Sequence, residues 1–267
     1  MVIGSQKCAT SWLEHNLSNH EGFYMPNKQL HLFDDHGDPV INLRKRLPSK
    51  VRVGEKTVEN VLPKQFSSVL QWLKSNPEKK AILILRDPYA RCISAINHLA
   101  YSGRIEPYKD LSTFYENVDP CVLNEVFEFS NYPRIIKEIE YYQVRRQVCV
   151  LSFEEDIIKN QELAIQTIFK FLGCDVDMSY TKLTTARKNK KVCKSICIIN
   201  SKLLSFKKLR KLTQLANDAL RLNPYKIEQD IDGEEMIKMK LRTLDWNSYK
   251  WCEVFENKWD FDLIKCL

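Results

Sequence analysis

The chain has 267 residues, of which 44% are hydrophobic and only seven are glycine, so collagen-like and low-complexity classes are excluded. A formal net charge of +7 suits an anionic ligand such as a nucleotide, but it would equally suit nucleic acid or an acidic membrane surface. Charge by itself therefore selects no class of partner.

The sequence predicts a cytoplasmic protein with no membrane association. Its longest apolar run, Ala81–Leu85, is far shorter than the roughly 20 residues that span a bilayer. The start of the chain lacks the pattern of a secretory signal, although an upstream anchor is left open. The nine cysteines show no CxxC pair, which indicates free thiols. We interpret Cys193 and Cys197, at helical spacing, as buried small hydrophobic residues in preference to a metal or redox pair.

The densest basic segments do not favour nucleic-acid binding. Residues 187–194 and 207–211 are rich in Lys and Arg but lack interleaved aromatic side chains. We therefore expect these segments to form a solvated face or a phosphate contact, and we predict no nucleic-acid partner.

Strands and helices alternate over the first two thirds of the chain, and 81–85 is uniformly apolar, as in strands buried on both faces of a parallel sheet. Asp87 and Pro88 are typical of a helix start, and Gly173 of a helix end. The alternation predicts an α/β fold in one domain, 1–267: a three-layer, doubly wound, mostly parallel sheet. After residue 182 the chain is more helical, basic and irregular. Strands are predicted at 1–4, 51–53, 81–85 and 148–152, and helices at 10–19, 66–75, 89–101, 131–142 and 161–172.

The first strand-to-helix turn has the composition of a phosphate cradle. In open α/β sheets, ligands bind beyond the carboxyl ends of the strands. A glycine permits a tight turn, and backbone N–H groups at a helix start hold anions. The segment is not a Walker A loop, because its lysine comes too early for a Gly-Lys-Ser/Thr ending. It consists of Gly4, Ser5, Gln6, Lys7, Cys8, Ala9, Thr10 and Ser11.

A second polar segment, Arg-Asp-Pro-Tyr-Ala-Arg-Cys-Ile-Ser, follows the apolar strand and opens a helix. Arg86 and Ser94 at its two ends can reach one anion together. The alternatives are that Arg86 only pairs with a neighbouring carboxylate and that Ser94 is a solvent-facing helical residue.

Together these two segments resemble the sulfotransferase family that uses 3'-phosphoadenosine 5'-phosphosulfate (PAPS), which combines a lysine-containing phosphosulfate loop with a later RDPxxRxxS segment. Residues 29–34 (QLHLFD) resemble the ExHFFD segment of the heparan sulfate sulfotransferase branch, and residues 54–57 (GEKT) resemble its EKT motif. Phe153 and Glu154 after a strand, then residues 171–173, resemble bacterial members. The resemblance covers about residues 1–175.

The resemblance implies a P-loop-like sulfotransferase fold, PAPS as donor and adenosine 3',5'-bisphosphate (PAP) as product. The loop from Gly4 to Ser11 would hold the phosphosulfate, with Lys7 beside the leaving oxygen. Arg86 and Ser94 would bind the 3'-phosphate, and Arg187 and Lys188 would stand in a basic loop that closes over the donor. Lys56 would add a second cation near the acceptor or the sulfonate, or it would pair with Glu55 or another carboxylate. No metal-ligand spacing occurs in the sequence, so we predict no metal.

The general base is where the sequence departs from the heparan sulfate branch. The first position of ExHFFD is Gln29, and an amide cannot accept a proton near neutral pH. His31 is the leading replacement, with Asp34 as its partner and Glu59 as an alternative carboxylate base. A nitrogen acceptor would relax the demand for a base, because its proton can leave after attack.

The predicted acceptor is a hydroxyl or nitrogen of a small molecule, with N-sulfation of a natural product such as a cyanobacterial alkaloid toxin as the specific hypothesis. The alternatives are O- or N-sulfation of a glycan, a catalytically silent PAPS-binding protein, and a nucleotide kinase. The kinase would require the Gly-Lys-Ser/Thr ending that this loop lacks. The oligomeric state is left open.

Overall fold

The computed structural model describes residues 1–26, 29, 31, 33, 52–174, 193–202, 213, 217 and 223–244. The chain divides into two compact units, the first of residues 1–87, 131–186 and 245–267 and the second of residues 88–130 and 187–244. The helices, in chain order, are α1 Thr10–Ser18, α2 Pro63–Ser75, α3 Pro88–Tyr101, α4 Leu111–Asn117, α5 Pro120–Glu128, α6 Tyr132–Tyr142, α7 Gln161–Leu172, α8 Lys194–Lys202 and α9 Ile231–Arg242. The strands are β1 Phe23–Tyr24, β2 Arg52–Val53, β3 Ala81–Leu85 and β4 Val148–Ser152.

All strand pairs of the described chain are parallel. β3 pairs with β4 along its whole length, from Ala81 opposite Val148 to Leu85 opposite Ser152. β1 pairs with β2, and Val2 forms parallel bridges with Lys56 on one side and Ile82 on the other. The segment that enters the candidate loop is therefore held between the EKT segment and β3.

The core of the first unit explains this arrangement. Every residue of β3 and β4 is buried. One apolar cluster joins these strands to α1 and α7 through side chains that include Leu13, Ile84, Leu151 and Phe169. Each fully buried large apolar side chain contributes about 1.5–3 kcal/mol relative to exposure, so this cluster fixes the strand ends that carry the site.

The helices of the first unit begin and end at residues suited to those positions. Pro63 starts α2, and Asn131 caps α6 by accepting a hydrogen bond from the Arg134 N–H group. Gly173 closes α7 in the left-handed conformation at φ 70°. Directly after β4, residues Phe153–Lys159 form a π-helical segment, with the Ser152 hydroxyl accepting from the Glu155 N–H group. π-helical turns are rare and often occur at functional sites.

The second unit contains α3, α4, α5, α8 and α9. Asp110 caps α4 and Asp230 caps α9, and the Asp230 carboxylate also accepts hydrogen bonds from the N–H groups of Leu111 and Ser112. Arg91 on α3 is fully buried. Its guanidinium donates to the Val126 carbonyl within α5 and to the Ser130 hydroxyl just after that helix. These contacts join helices that are distant in sequence.

The mixed helix and strand content and the parallel strands agree with the α/β class expected from the sequence. β3, β4 and α7 coincide with their predicted bounds, whereas α2 begins three residues earlier than predicted. None of the helices in the described part of the chain is long and apolar enough to cross a membrane. All seven cysteines that the structure describes are free thiols.

Candidate active site

The loop between Val2 and α1 holds two residues in a strained backbone conformation. Lys7 has φ 70° and Ala9 has φ 59°, a left-handed region that side-chain-bearing residues rarely adopt. Ala9 is the N-cap of α1 and provides no side-chain hydrogen bond to it. Such strain persists only where the surrounding fold enforces it, and it is common at ligand-binding turns.

Gly4 serves a different purpose from the one expected. The sequence suggested that Gly4 permits the tight turn, but the residues with positive φ are Lys7 and Ala9. A Cβ at Gly4 would lie 2.4 Å from Cγ2 of Thr10, so glycine is required for close packing of the loop against α1. The loop therefore closes on the helix start, and Thr10 is itself 5% exposed.

Lys7 and Arg86 meet at the end of β3. The Arg86 guanidinium donates to the Lys7 carbonyl oxygen at 3.1 Å, and it lies 4.5 Å from the ring centroid of Phe153. Burial, followed by the nearby charge of Arg86, lowers the pKa of Lys7 to about 8. Nowhere in the described ranges does a carboxylate lie within ion-pair distance of the Lys7 ammonium.

Arg86 is only partly compensated by acidic side chains. Its Nε atom lies 3.9 Å from Oε1 of Glu154, too long for a hydrogen bond, and this buried Nε atom has no hydrogen-bond partner in the structure. Glu154 instead accepts from the Asp87 N–H group at 3.3 Å. The corner therefore holds two cationic side chains facing one partly exposed carboxylate, an arrangement that suits an anion.

The Ser5 hydroxyl is another polar group without a partner. Ser5 is fully buried, and its Oγ atom makes no hydrogen bond in the structure. A buried hydroxyl without a hydrogen bond costs about 1–3 kcal/mol, so a ligand that bonds to it would relieve that cost. Ser5, Lys7 and Arg86 together fit an anionic group bearing several acceptor oxygens.

Lys56 of the EKT segment reaches the same loop. Its ammonium group lies 2.5 Å from Oε2 of Glu14 and donates to the Ser11 hydroxyl at 3.3 Å. The sequence left open whether Lys56 would pair with Glu55 or another carboxylate. The structure identifies its partner as Glu14 on α1, a residue that sequence reasoning missed, although its spacing of three from Ser11 puts both on one helix face.

The neighbouring carboxyl group of Glu55 is engaged elsewhere. Glu55 is 3% exposed and accepts hydrogen bonds from the side chains of Thr57 at 2.8 Å and Asn60 at 2.7 Å. Burial is the main cause that raises the pKa of Glu55. Glu55 therefore holds the EKT segment together through these hydrogen bonds, while Lys56 pairs with Glu14 of α1.

The segment that resembles ExHFFD, residues 29–34, contacts the EKT segment through the backbone of His31. The His31 N–H group donates to Oγ1 of Thr57 at 3.3 Å, and His31 has φ 50° with an exposed side chain. Gln29 is half-buried, and its Oε1 atom has no hydrogen-bond partner. The Oε2 atom of Glu59, the alternative base, is also buried without a hydrogen bond.

The remaining predicted residues are not joined to this loop by any described contact. Ser94 is half-buried on α3 in the second unit. Asp34, Arg187 and Lys188 lie outside the described residues. Within the described ranges, no group of three or more His, Cys, Asp or Glu side chains could hold a metal ion.

Comparison with known proteins gives consistent matches. A family model described as a sulfotransferase domain matches residues 1–229. A solved sulfotransferase from Alicyclobacillus acidocaldarius is 19% identical, with a TM-score of 0.55, over 88% of this chain and 97% of the other. The mouse sulfotransferase SULT7A1, solved in complex with PAP, is 17% identical, with a TM-score of 0.50, over 95% of this chain and 84% of the other. The search of curated proteins found no match. At these identities the solved structures establish the fold alone.

Proposed function

Because the chain belongs to the sulfotransferase domain family, we propose that it moves the sulfuryl group of PAPS to a hydroxyl or nitrogen of a small-molecule acceptor. Sulfuryl transfer follows from family membership. The donor and the class of acceptor are inferred from the geometry of the loop and from the family motifs.

The observation that carries the proposal is the Lys7 and Arg86 corner. The Arg86 guanidinium is anchored on the Lys7 backbone carbonyl, and burial, followed by the nearby charge of Arg86, lowers the pKa of the Lys7 ammonium group to about 8. Holding like charges together is unfavourable unless an anion is bound between or beside them. A donor with phosphate groups at two positions satisfies this requirement.

We assign the parts of the donor from this geometry and from the family motifs. Residues 4–11 hold the phosphosulfate, with Lys7 closest to the bond that breaks. Arg86 binds the 3'-phosphate, with Ser94 as a second ligand and Arg187 and Lys188 as further basic contacts by motif resemblance. A doubly wound, three-layer, P-loop-like fold in a single domain of residues 1–267 is part of the same proposal.

The reaction is an in-line displacement at sulfur. The acceptor oxygen or nitrogen bonds to sulfur, the bond from sulfur to the bridging phosphate oxygen breaks, and PAP departs with that electron pair. Lys7 stabilises the negative charge that grows on the bridging oxygen, an effect that can supply several kcal/mol of barrier lowering, about 2.7–4 in measured oxyanion sites. No step requires a metal.

The proton of the acceptor is assigned to His31. Gln29 stands at the position of the usual glutamate and cannot accept a proton, whereas an exposed imidazole near the EKT segment can. An amine or guanidine nitrogen demands less of the base, and for this reason we infer N-sulfation of a natural product, such as an alkaloid, as the specific reaction.

The test uses PAPS labelled with radioactive sulfur, incubated with a panel of small alcohols, phenols, amines and guanidines, together with glycans. We expect label on an organic product, with at least a hundredfold lower rate in Lys7→Met. Lys64→Met is the matched control, because Lys64 is an exposed lysine on α2 that should leave the rate unchanged. Transfer to oxygen but never to nitrogen would exclude the N-sulfation hypothesis. Tight PAPS binding without any labelled product, glycans included in the panel, would favour a silent binding protein.

A further inference from the structure

Glu14 is a buried carboxylate that the proposed reaction does not use. It lies on α1, its residue is 9% exposed, and it is four residues from the start of that helix. A carboxylate at such depth must be paired or neutralised. Its partner is Lys56, whose ammonium group lies 2.5 Å from Oε2 of Glu14.

The same ammonium group touches the loop. Lys56 donates to the Ser11 hydroxyl at 3.3 Å, and Ser11 is in the first turn of α1, on the face that also carries Glu14. The side chains of Lys56 and Glu14 are only 14% and 12% exposed. The long lysine side chain is therefore fixed at both ends, by the parallel bridge of its backbone to Val2 and by Glu14 at its tip.

Stability by itself is a weak reason for such a pair. Desolvation of two charges often cancels their attraction, and hydrophobic replacements of buried ion pairs are frequently neutral or stabilising. The first unit also has an ion pair away from the loop, Arg134 with Glu138 on α6, at 2.7 Å and with side chains 19% and 27% exposed. What distinguishes the Glu14 pair is that its cation also contacts a residue of the proposed phosphosulfate loop.

We propose that Glu14 is a positioning residue that holds the ammonium group of Lys56 against Ser11, directed at the sulfuryl end of the donor. The inference rests on the proposed function and deepens it. Lys56 contacts the reacting group, and Glu14 acts only through Lys56. The carboxylate limits the rotamers of Lys56 and keeps it from collapsing onto the donor phosphates, so its charge is available in the transition state.

This role predicts separate effects on binding and on rate. Glu14→Gln removes a negative charge beside an anion site, so the KM for PAPS should stay within threefold of the wild-type value or fall. The rate of the chemical step should fall at least tenfold, because Lys56 is no longer held in place. A purely structural ion pair would lower the thermal midpoint and leave both kinetic constants unchanged.

The experiment follows release of labelled sulfate when water replaces the acceptor, so no acceptor needs to be known. Water bonds to sulfur, the bond to the phosphate oxygen breaks, and PAP and sulfate are released, while the two protons of water pass to the phosphate of PAP and to solvent. The variants are Glu14→Gln, Lys56→Met and the double variant, with Glu138→Gln as the control that breaks the other ion pair. Binding of PAP to each variant is measured by calorimetry.

We expect the double variant to be no slower than Lys56→Met, since effects transmitted through one partner are not additive. The double variant also removes both buried charges, so it tests the inference even if Glu14→Gln alone fails to fold. A wild-type rate in folded Glu14→Gln would overturn the inference, as would a double variant at least tenfold slower than Lys56→Met. Failure of the wild-type protein to bind PAP would instead refute the donor site itself.

Discussion

Lys7 and Lys56 serve the same loop but differ in what compensates their charge. Lys56 has the Glu14 carboxylate at 2.5 Å. Lys7 has no carboxylate within ion-pair distance in the part of the chain that the structure describes, and burial, followed by the charge of Arg86, lowers its pKa to about 8. Lys7 is therefore the cation whose charge depends on pH near neutrality.

We predict that affinity for PAP weakens with alkaline pH. The pKa of Lys7 is lowered from its ordinary 10.5 to about 8, so its ammonium form is lost as pH rises from 7 to 9. If the anion binds only the charged form, the dissociation constant should rise by about tenfold over that interval. Calorimetry at pH 7, 8 and 9 measures it. Lys7→Arg, which stays charged, should show a nearly flat profile, and an equally flat wild-type profile would contradict the assignment.

The stability of the empty protein should change in the opposite direction. A lysine whose pKa is lower in the folded state is better protonated when unfolded, so its burial destabilises the fold most below pH 8. That penalty is relieved as pH rises from about 8 toward the ordinary value. Opposite pH trends for binding and stability follow from one group.

At the residue scale, the sequence predicted the basic side chains of the candidate site but not the carboxylates beside them or the backbone conformation of the loop. Lys7 and Arg86 were predicted as site residues because each follows a predicted strand, where ligands bind in such sheets. Lys56 was predicted from the resemblance of residues 54–57 to the EKT motif. Glu14 was missed because a carboxylate on an amphipathic helix does not reveal its partner. Glu154 was noted only as part of a resemblance to bacterial members, and its position beside Arg86 was not foreseen. The left-handed conformation of Lys7 and Ala9 could not be inferred, because neither is a residue type that favours it.

At the element scale, α4 and α9 depend on one carboxylate. Asp230 caps α9 through the Gly233 N–H group at 3.1 Å and accepts from the Leu111 N–H group at 2.9 Å and the Ser112 N–H group at 3.1 Å. The hydrogen bond from the Ser112 hydroxyl is the largest cause that lowers the pKa of Asp230 to about 2. Asp110, the cap of α4, has its own pKa lowered by hydrogen bonds from Thr113, and the nearby charge of Asp230 opposes that shift.

We expect the contribution of Asp230 to stability to vanish in acid. A carboxyl group with a lowered pKa stabilises the fold above its ordinary value of 3.8 and loses that effect as pH falls through about 2. The difference in thermal midpoint between wild type and Asp230→Ala should therefore be largest at pH 5 and shrink toward pH 2. Asp232→Ala, an exposed acid in the first turn of α9, is the control. A difference that stays constant with pH would refute the capping account.

Elements with a local sequence pattern were predicted, and elements without one were missed. β3 and β4 were predicted because their sequences are almost uniformly apolar, which suits strands buried on both faces. α7 was predicted because its apolar spacing ends at Gly173. α4 was missed because it is only seven residues long. Asp110 caps it locally, but the N–H groups of Leu111 and Ser112 in its first turn bond to Asp230, more than a hundred positions away. The π-helical segment was missed because its acidic first turn carries no helical apolar spacing.

At the scale of the whole molecule, the sulfotransferase family is confirmed by the match over residues 1–229. The parallel strand pairs are as expected, and the chain divides into two compact units. Sequence succeeded here because two weak motifs, at the ends of two predicted strands, coincided in one chain. The acceptor was not predictable in the same way, because no motif of the sequence specifies it.

The most direct measurement compares PAP with adenosine 5'-monophosphate, which lacks the 3'-phosphate, in calorimetric titrations of wild type and Arg86→Ala. The account predicts tight binding of PAP and a loss of about 1.5–3 kcal/mol in the variant, as expected for a charge-assisted contact. The monophosphate should bind more weakly, and the variant should hardly affect it. Equal affinity of the wild-type protein for both nucleotides would contradict the account, because the 3'-phosphate distinguishes a PAPS site from an ordinary nucleotide site.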